Sequence, residues 1–493
     1  MKKIIISFLI STLFISCESD DINLDPHSAY TTIPSSLLTN AQKELSDYVN
    51  TPSVNENNFR LTMQYWQETT YVEESNYNFT NRNVSNQIYI DNYVNVQNSL
   101  VQAKNLINAY QPVPAEALTW PTTKKNQLAI IDILQVYSYQ LLVDTFGNIP
   151  YSQANQLGSN VAPVYDDGAG VYNNLISRLQ EDIANIDVNG GINSESDDFT
   201  AADLYYPAVK PLTPETTKVS LTSWKKFANS LLLKLGIAIA DSNPTLAQQT
   251  ANIAINNGVM ASSSDNCLLQ YLGGSPNYSP IYENVKANNR NDFVGGKTLV
   301  DYMNANNDTR ITKYFKPVGS TNNYIGQIIG QPASFANFSA PGDFAYTSTT
   351  PGILMSYTEV AFYLAEASAR WGIGGSAATN YANAITSSFT DWGVTSNASA
   401  YLSAHPYNSS NWKKSIGEQA WVAMYNQPLV SWNFWRRLDF PALQPATAAT
   451  INSVPSRMAY PTSEYQTNGA NVNAASSAIG GDLLTTKIFW DKF

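Results

Sequence analysis

Apolar residues recur at helical spacing over much of the chain. From Thr122 to Phe146 they fall at Leu128, Ile131, Leu134, Leu141, Leu142 and Val143, and Gly147 stands where a helix C-cap would. Val171 to Ile186 places Tyr172, Leu175, Leu179, Ile183 and Ile186 on one face, and Thr222 to Ala240 does the same with Trp224, Phe227, Leu231, Leu235 and Ile239. Pro244 opens a further helix that Gly258 closes. Thr358 to Trp371, a link holding Gly372, Gly374 and Gly375, and Ser376 to Phe389 predict another helix hairpin. Two hairpins carry similar small-residue runs, Ala251-Asn252-Ile253-Ala254-Ile255 and Ala382-Asn383-Ala384-Ile385, which let helices approach closely. Tetratricopeptide-type repeats pack this way. The spacing is too irregular for a regular array of about 34 residues per repeat, so an unrelated alanine-using bundle is the alternative.

Between the helices lie polar stretches at 71–87, 189–219, 260–290 and 317–352. Loops of this length are usually functional or disordered. These are rich in Tyr, Phe, Asn and Gly with few charge runs, which favours ordered binding loops. No Pro- or Gly/Ser-rich linker divides the body, so one large, mostly α domain is expected.

The first residues read differently. Lys2 and Lys3 precede an apolar run from Ile4 to Ile15, too short to span a bilayer of roughly 30 Å and suited to a signal peptide at 1–16. Phe14-Ile15-Ser16-Cys17 resembles a bacterial lipoprotein lipobox, with Phe14 in place of the usual Leu. That resemblance implies lipid on Cys17 and an outer-membrane tether over 17–30. Glu18-Ser19-Asp20-Asp21 resembles the acidic export signal of Bacteroidetes surface lipoproteins; its plainer reading is a solvated linker. With Cys17 lipidated, Cys267 has no cysteine to pair with.

Charge narrows the partners. Lys and Arg number 28 against 39 Asp and Glu, a net charge of −11 that disfavours nucleic acid. Aromatics at 12% and charged residues at 14% argue against disorder and suit neutral polar ligands. The two histidines, His27 and His405, stand far apart, and no HExxH, GxSxG, CxxC or P-loop pattern occurs. Tyr324-Ile-Gly326 to Gly330 lacks the Gly-Lys-Ser/Thr of a phosphate loop, and no Asp-x-Asp calcium loop appears. No cofactor is expected and no metal in the site, and a structural metal elsewhere in the loops stays open. A glycosidase carboxylate pair stays open, because such acids can come from anywhere in the chain.

The positive signal is aromatic. A sugar ring offers a C–H face for stacking and a hydroxyl rim for amide and guanidinium groups. Three loop mixtures fit: Tyr71, Tyr77 and Phe79 with Asn78 and Arg82; Tyr278 and Tyr282 with Asn277, Asn288, Asn289 and Arg290; and Tyr324, Phe335 and Phe338 with Asn337. Trp224, Trp371 and Trp421 lie in helix patterns and read as structural.

Several blocks resemble one family. Tyr357-Thr-Glu359-Val-Ala-Phe362-Tyr-Leu-Ala365-Glu366-Ala367, Gly417-Glu418-Gln419 to Trp421, Trp432-Asn-Phe-Trp435-Arg436-Arg437-Leu438-Asp439, and Pro455-Ser-Arg457 through Tyr460 to Asn471 are similar to SusD/RagB nutrient-binding outer-membrane lipoproteins. Asp25-Pro26, Leu38-Thr-Asn40-Ala-Gln42 and Asp144-Thr-Phe146-Gly147-Asn148-Ile-Pro150-Tyr151 match the same group. Asp308-Thr309-Arg310 departs from the family's usual Asp-Pro-Arg. The resemblance implies a single domain over 17–493, with tetratricopeptide-like helix pairs within about 35–255 and 355–440. Ligand-bearing insertions are then expected at about 71–87 and 260–352. It also implies a non-catalytic protein that captures oligosaccharides, or in some members peptides. The implied partner is a SusC-like TonB-dependent transporter, which the protein caps as a lid. Arg436 and Arg437 are expected as buried ion-pair formers. Ligand residues vary within the family, so the expected site (Tyr71, Tyr77, Phe79, Arg82, Tyr278, Tyr282, Asn289, Arg290, Tyr324 and Phe335) rests on loop position and side-chain chemistry.

Overall fold

Helices packed in pairs carry the structure, a computed structural model that describes residues 32–156 and 158–493. The leader, Cys17 and the tether lie outside the described residues. In chain order, α1 (Pro34–Asn50) packs on α3 (Asn98–Ala109), which continues from α2 (Val84–Tyr89) through a π-helical stretch, Ile90–Gln97. Next, α4 (Trp120–Phe146) packs on α5 (Gly168–Asn185) and α6 (Pro214–Ala238) on α7 (Pro244–Asn257). The last pairs are α8 (Tyr357–Trp371) with α9 (Ala377–Asp391) and α10 (Trp412–Ala423) with α11 (Pro428–Leu438). Contacts of α3 with α4, α5 with α6, α6 with α8 and α8 with α10 join the pairs into one scaffold. The fold is mostly α and tetratricopeptide-like.

The helix signals in the sequence have visible causes. Gly147 ends α4 at φ 87°, a conformation that L side chains rarely adopt. Gly236 of α6 faces α7 so closely that a Cβ there would lie 3.1 Å from the Ala251 nitrogen and 3.2 Å from the Ala247 carbonyl oxygen. The small-residue hairpin is a close-approach device. In contrast, α6 begins at Pro214, well before the expected Thr222. A Thr213–Thr216 capping box starts it and Pro214 takes the first turn, so the polar stretch 189–219 gives way to helix before it ends.

The centre of the core is α4, buried without a break from Ala129 to Phe146. A helix enclosed on every side needs partners for its polar groups. Asp144 supplies an example: it accepts from Trp490 Nε1 at 2.9 Å, from Asn433 Nδ2 at 2.6 Å and from the Tyr172 hydroxyl. Arg437 meets expectation, gripping Glu366 with two nitrogens at 3.1 and 2.7 Å. Arg436 does not. It lies 3.4 Å over the Trp432 ring and donates to the Asp144 and Ser456 carbonyls. Among the described residues no carboxylate pairs with it; its acceptors are those two carbonyls and the Asn433 side-chain oxygen at 2.5 Å.

Among the described residues, six short strands punctuate the loops: β1 (Trp66–Glu68), β2 (Ile149–Pro150), β3 (Tyr165–Asp166), β4 (Cys267–Leu269), β5 (Phe293–Gly295) and β6 (Gly352–Met355). They form three antiparallel pairs, β1 with β5, β2 with β3 and β4 with β6. The first pair positions the candidate site.

Candidate ligand-binding site

Trp66 pairs with Gly295, Gln67 with Val294 and Glu68 with Phe293. Past the ladder, the Thr69 amide donates to the Asp292 carbonyl at 2.8 Å and its hydroxyl to the Asn291 carbonyl at 2.8 Å. The approach is close enough that a Cβ on Gly296 would lie 2.3 Å from the Gln64 carbonyl oxygen. Only glycine fits there. Two segments far apart in sequence, after β1 and before β5, therefore run side by side.

Between them opens a cleft of about 70 Å³ lined by Tyr71, Arg82, Asn284, Arg290 and Asp292. Tyr71 is 63% exposed, its ring free for stacking. Arg82 is anchored by the buried Glu74 carboxylate and reaches Asn55 Oδ1 at 3.4 Å; Arg290 pairs with Asp292. Beneath them Glu68 accepts from the Ser75 amide and hydroxyl, both at 2.8 Å, fixing the turn that presents Tyr71. Burial, reinforced by the Glu74 charge, pushes the Glu68 carboxyl up. An exposed ring flanked by guanidinium and amide groups can stack on an apolar face and bond a polar rim at once.

The structure sorts the expected residues. Tyr71, Arg82 and Arg290 meet in this cleft, while Asn289, exposed and left-handed at φ 50°, precedes Arg290 in the chain and does not line it. Tyr77 and Phe79 are withdrawn from the site. They are only 3% and 5% exposed, and the Tyr77 hydroxyl accepts from the Ala446 amide at 3.1 Å. The loop tucks these rings beneath itself to make its own small core, while Asn78 between them faces solvent. Tyr278 and Tyr282 form a T-shaped, half-buried pair with centroids 5.4 Å apart, outside the cleft lining. Tyr324 and Phe335 are also half-buried and outside it.

Sequence reasoning missed a second cavity, about 410 Å³, that shares Ser53 and Asn284 with the cleft. Glu44, Asp47 and Tyr48 of α1, Glu56, Asp91 and Glu283 line it, with Gln87, Asn95 and Asn288. The signal was present: 44, 47 and 48, and likewise 87, 91 and 95, fall on single helix faces. A third pocket of about 350 Å³, between Phe344 and Trp392, joins aromatic rings to Asn266, Asn426 and Asp391. Its polar groups serve one another and the scaffold. Thr358 donates to Asp391 at 2.8 Å, and Asn426 accepts from Arg60 at 3.0 Å.

His405 packs on Tyr401, ring centroids 4.2 Å apart, with Nε2 3.4 Å from the Asn306 carbonyl. Among the described residues no helix is long and apolar enough to cross a membrane.

The profile of a SusD-like family, described as starch-binding and associating with the outer membrane, matches residues 26–461. A chitin-binding protein of known structure is 25% identical, covers 93% of this chain and 100% of its own, and superposes with a TM-score of 0.77. A SusD homolog from Bacteroides uniformis (24% identity, 93% and 99% coverage, TM-score 0.76) shares the fold. So does a chitin-binding SusD homolog from Flavobacterium johnsoniae (22%, 93% and 98%, 0.75). No curated protein matches. A family profile spanning nearly the whole chain, over a helix-pair scaffold of this extent, has one reading: the chain belongs to the SusD-like family.

Proposed function

We propose that the protein captures oligosaccharides at the bacterial surface and passes them, unmodified, to a SusC-like TonB-dependent transporter. Lipid on Cys17 would hold it at the outer membrane. The observation that carries this reading is the β1–β5 clip, which sets an exposed tyrosine, two arginines and an amide around one cleft between the two insertions. The family description and the chitin-binding relative support a glycan as the ligand.

Calorimetric titration of the mature chain with chitin, β-glucan and α-glucan oligosaccharides, beside a peptide library, tests it. Binding of at least one glycan, weakened by Tyr71→Ala with Arg290→Ala, is expected. Binding of peptides alone would reassign the ligand, and release of reducing ends from a bound glycan would make the protein a hydrolase. Co-purification of the full-length chain with a β-barrel transporter from outer membranes checks the partner.

A further inference from the structure

The 410 Å³ cavity beside the cleft has the volume of a ligand site and an unusual wall. Five carboxylates line it, and no Lys or Arg does. Lys43 pairs with Asp47, but among the described residues Glu44, Glu56, Asp91 and Glu283 have no cationic partner within 4.0 Å. Asp91, 9% exposed, gives one oxygen to the Gln87 amide at 2.8 Å and leaves Oδ2 with no hydrogen-bond partner. The hydroxyl of Tyr48, 2% exposed, is likewise unpartnered. Buried acceptors left open in this way are rare.

Backbone geometry points to the same place. Among the described residues the π-helical stretches are Ile90–Gln97 and Glu283–Ala287. Both line this cavity, the first through Asp91 and Asn95, the second through Glu283 and Asn284. Such widened turns are frequent at functional sites.

We propose that this cavity is a subsite for a positively charged amino group on a bound oligosaccharide, so that the protein prefers de-N-acetylated amino-sugar chains to neutral ones. The proposal rests on the glycan-capture reading and names its substrate class. An ammonium carries three donors and no acceptor, the complement of a wall of acceptor-only carboxylates. A bare metal ion fits poorly: among the described residues no three acidic, His or Cys groups converge to hold one. The shared Ser53 and Asn284 make cavity and cleft one surface, so a sugar stacked on Tyr71 can extend its neighbour into the acidic chamber. Burial and the facing charges of Asp91, Glu283 and Asp47 push the Glu56 carboxyl up to about 7, and burial with Glu44 pushes Asp91 to about 6. A bound cation relieves both.

The test titrates the mature chain with chitohexaose and with its fully de-N-acetylated counterpart at neutral pH. The amino form is expected to bind roughly tenfold more tightly, the scale of one charge-assisted hydrogen bond. That preference should collapse in the Glu56→Gln, Glu283→Gln double variant and in high salt, while affinity for chitohexaose stays unchanged. Both substitutions are at partly or fully exposed positions, so the variant keeps its fold, which circular dichroism checks. Equal or tighter binding of chitohexaose, or a preference that survives the double variant, overturns the proposal and leaves glycan capture standing. Binding of a lysine-rich peptide in place of both sugars overturns the proposal and the glycan reading together.

Discussion

Glu366 and Glu56 are the same side chain in opposite settings. Glu366 is fully buried between α8 and α11, and burial alone would raise its carboxyl; Arg437 and Arg370 override that and hold it below the ordinary value. Glu56 sits in a chamber of like charges, and only a hydrogen bond from Ser53, with no cation, works against its burial. The first arrangement is complete in the free protein and belongs to the scaffold. The second is complete only when something cationic arrives. A buried charge by itself therefore says little; whether its counter-charge is built into the chain separates structure from site.

The comparison breaks first at the arginine. Arg437→Ala strands Glu366 in the core and should lower unfolding stability by about 3–5 kcal/mol in a denaturant titration; no comparable loss would mean that the scaffold pair is dispensable. The two sites should also answer acid in opposite senses. The Glu366 carboxyl is lowered on folding, so its contribution is present above the unfolded value near 4.5 and is lost as pH falls. The Glu56 carboxyl rises from 4.5 to about 7 on folding, so the folded state holds its proton more tightly than the unfolded chain. Stability therefore falls as pH climbs from about 4.5 to about 7. The groups facing it are Asp47 with its partner Lys43, Asp91, Glu283 and, through Asp91, Glu44. Glu56→Gln should be more stable than the parent by about 2 kcal/mol above pH 7, after allowance for solvent screening, and equal to it at acid pH.

Smaller effects sharpen the contrast within the loops. Tyr71→Ala should cost about tenfold in affinity for a bound glycan, read by calorimetry, without moving the melting temperature, because the ring is solvent-exposed. Asn289→Gly should change stability by less than about 1 kcal/mol, since glycine tolerates the same left-handed backbone. Unchanged affinity would mark Asn289 as a turn residue and nothing more.

What the sequence revealed follows from range. Helix periodicity and the Gly147 and Gly258 stops are local, and they appear where the pattern places them. The arginine blocks gave burial correctly, but the Trp490 ring and the Asp144 and Ser456 carbonyls around Arg436 arrive from other segments. Tyr71 and Tyr77 are alike in composition and neighbourhood. Only the fold makes one ring exposed and the other core, through the Glu68–Ser75 contact and the clip to β5. The acidic chamber was legible only in part, as two separate helix faces. Glu44 and Asp47 share a face of α1, but Glu56, Asp91 and Glu283 come from other segments, and no spacing rule brings them to it.

The clip also sets the order in which the protein becomes competent. Pairing β1 with β5 closes a loop of more than two hundred residues, roughly the span from residue 66 to 295, and such non-local contacts form late because their closure entropy must be met first. The helix pairs between them can assemble from nearby contacts while the cleft is still open chain. A newly exported molecule thus has no binding surface until this pairing forms, and ligand affinity reports that the clip has closed.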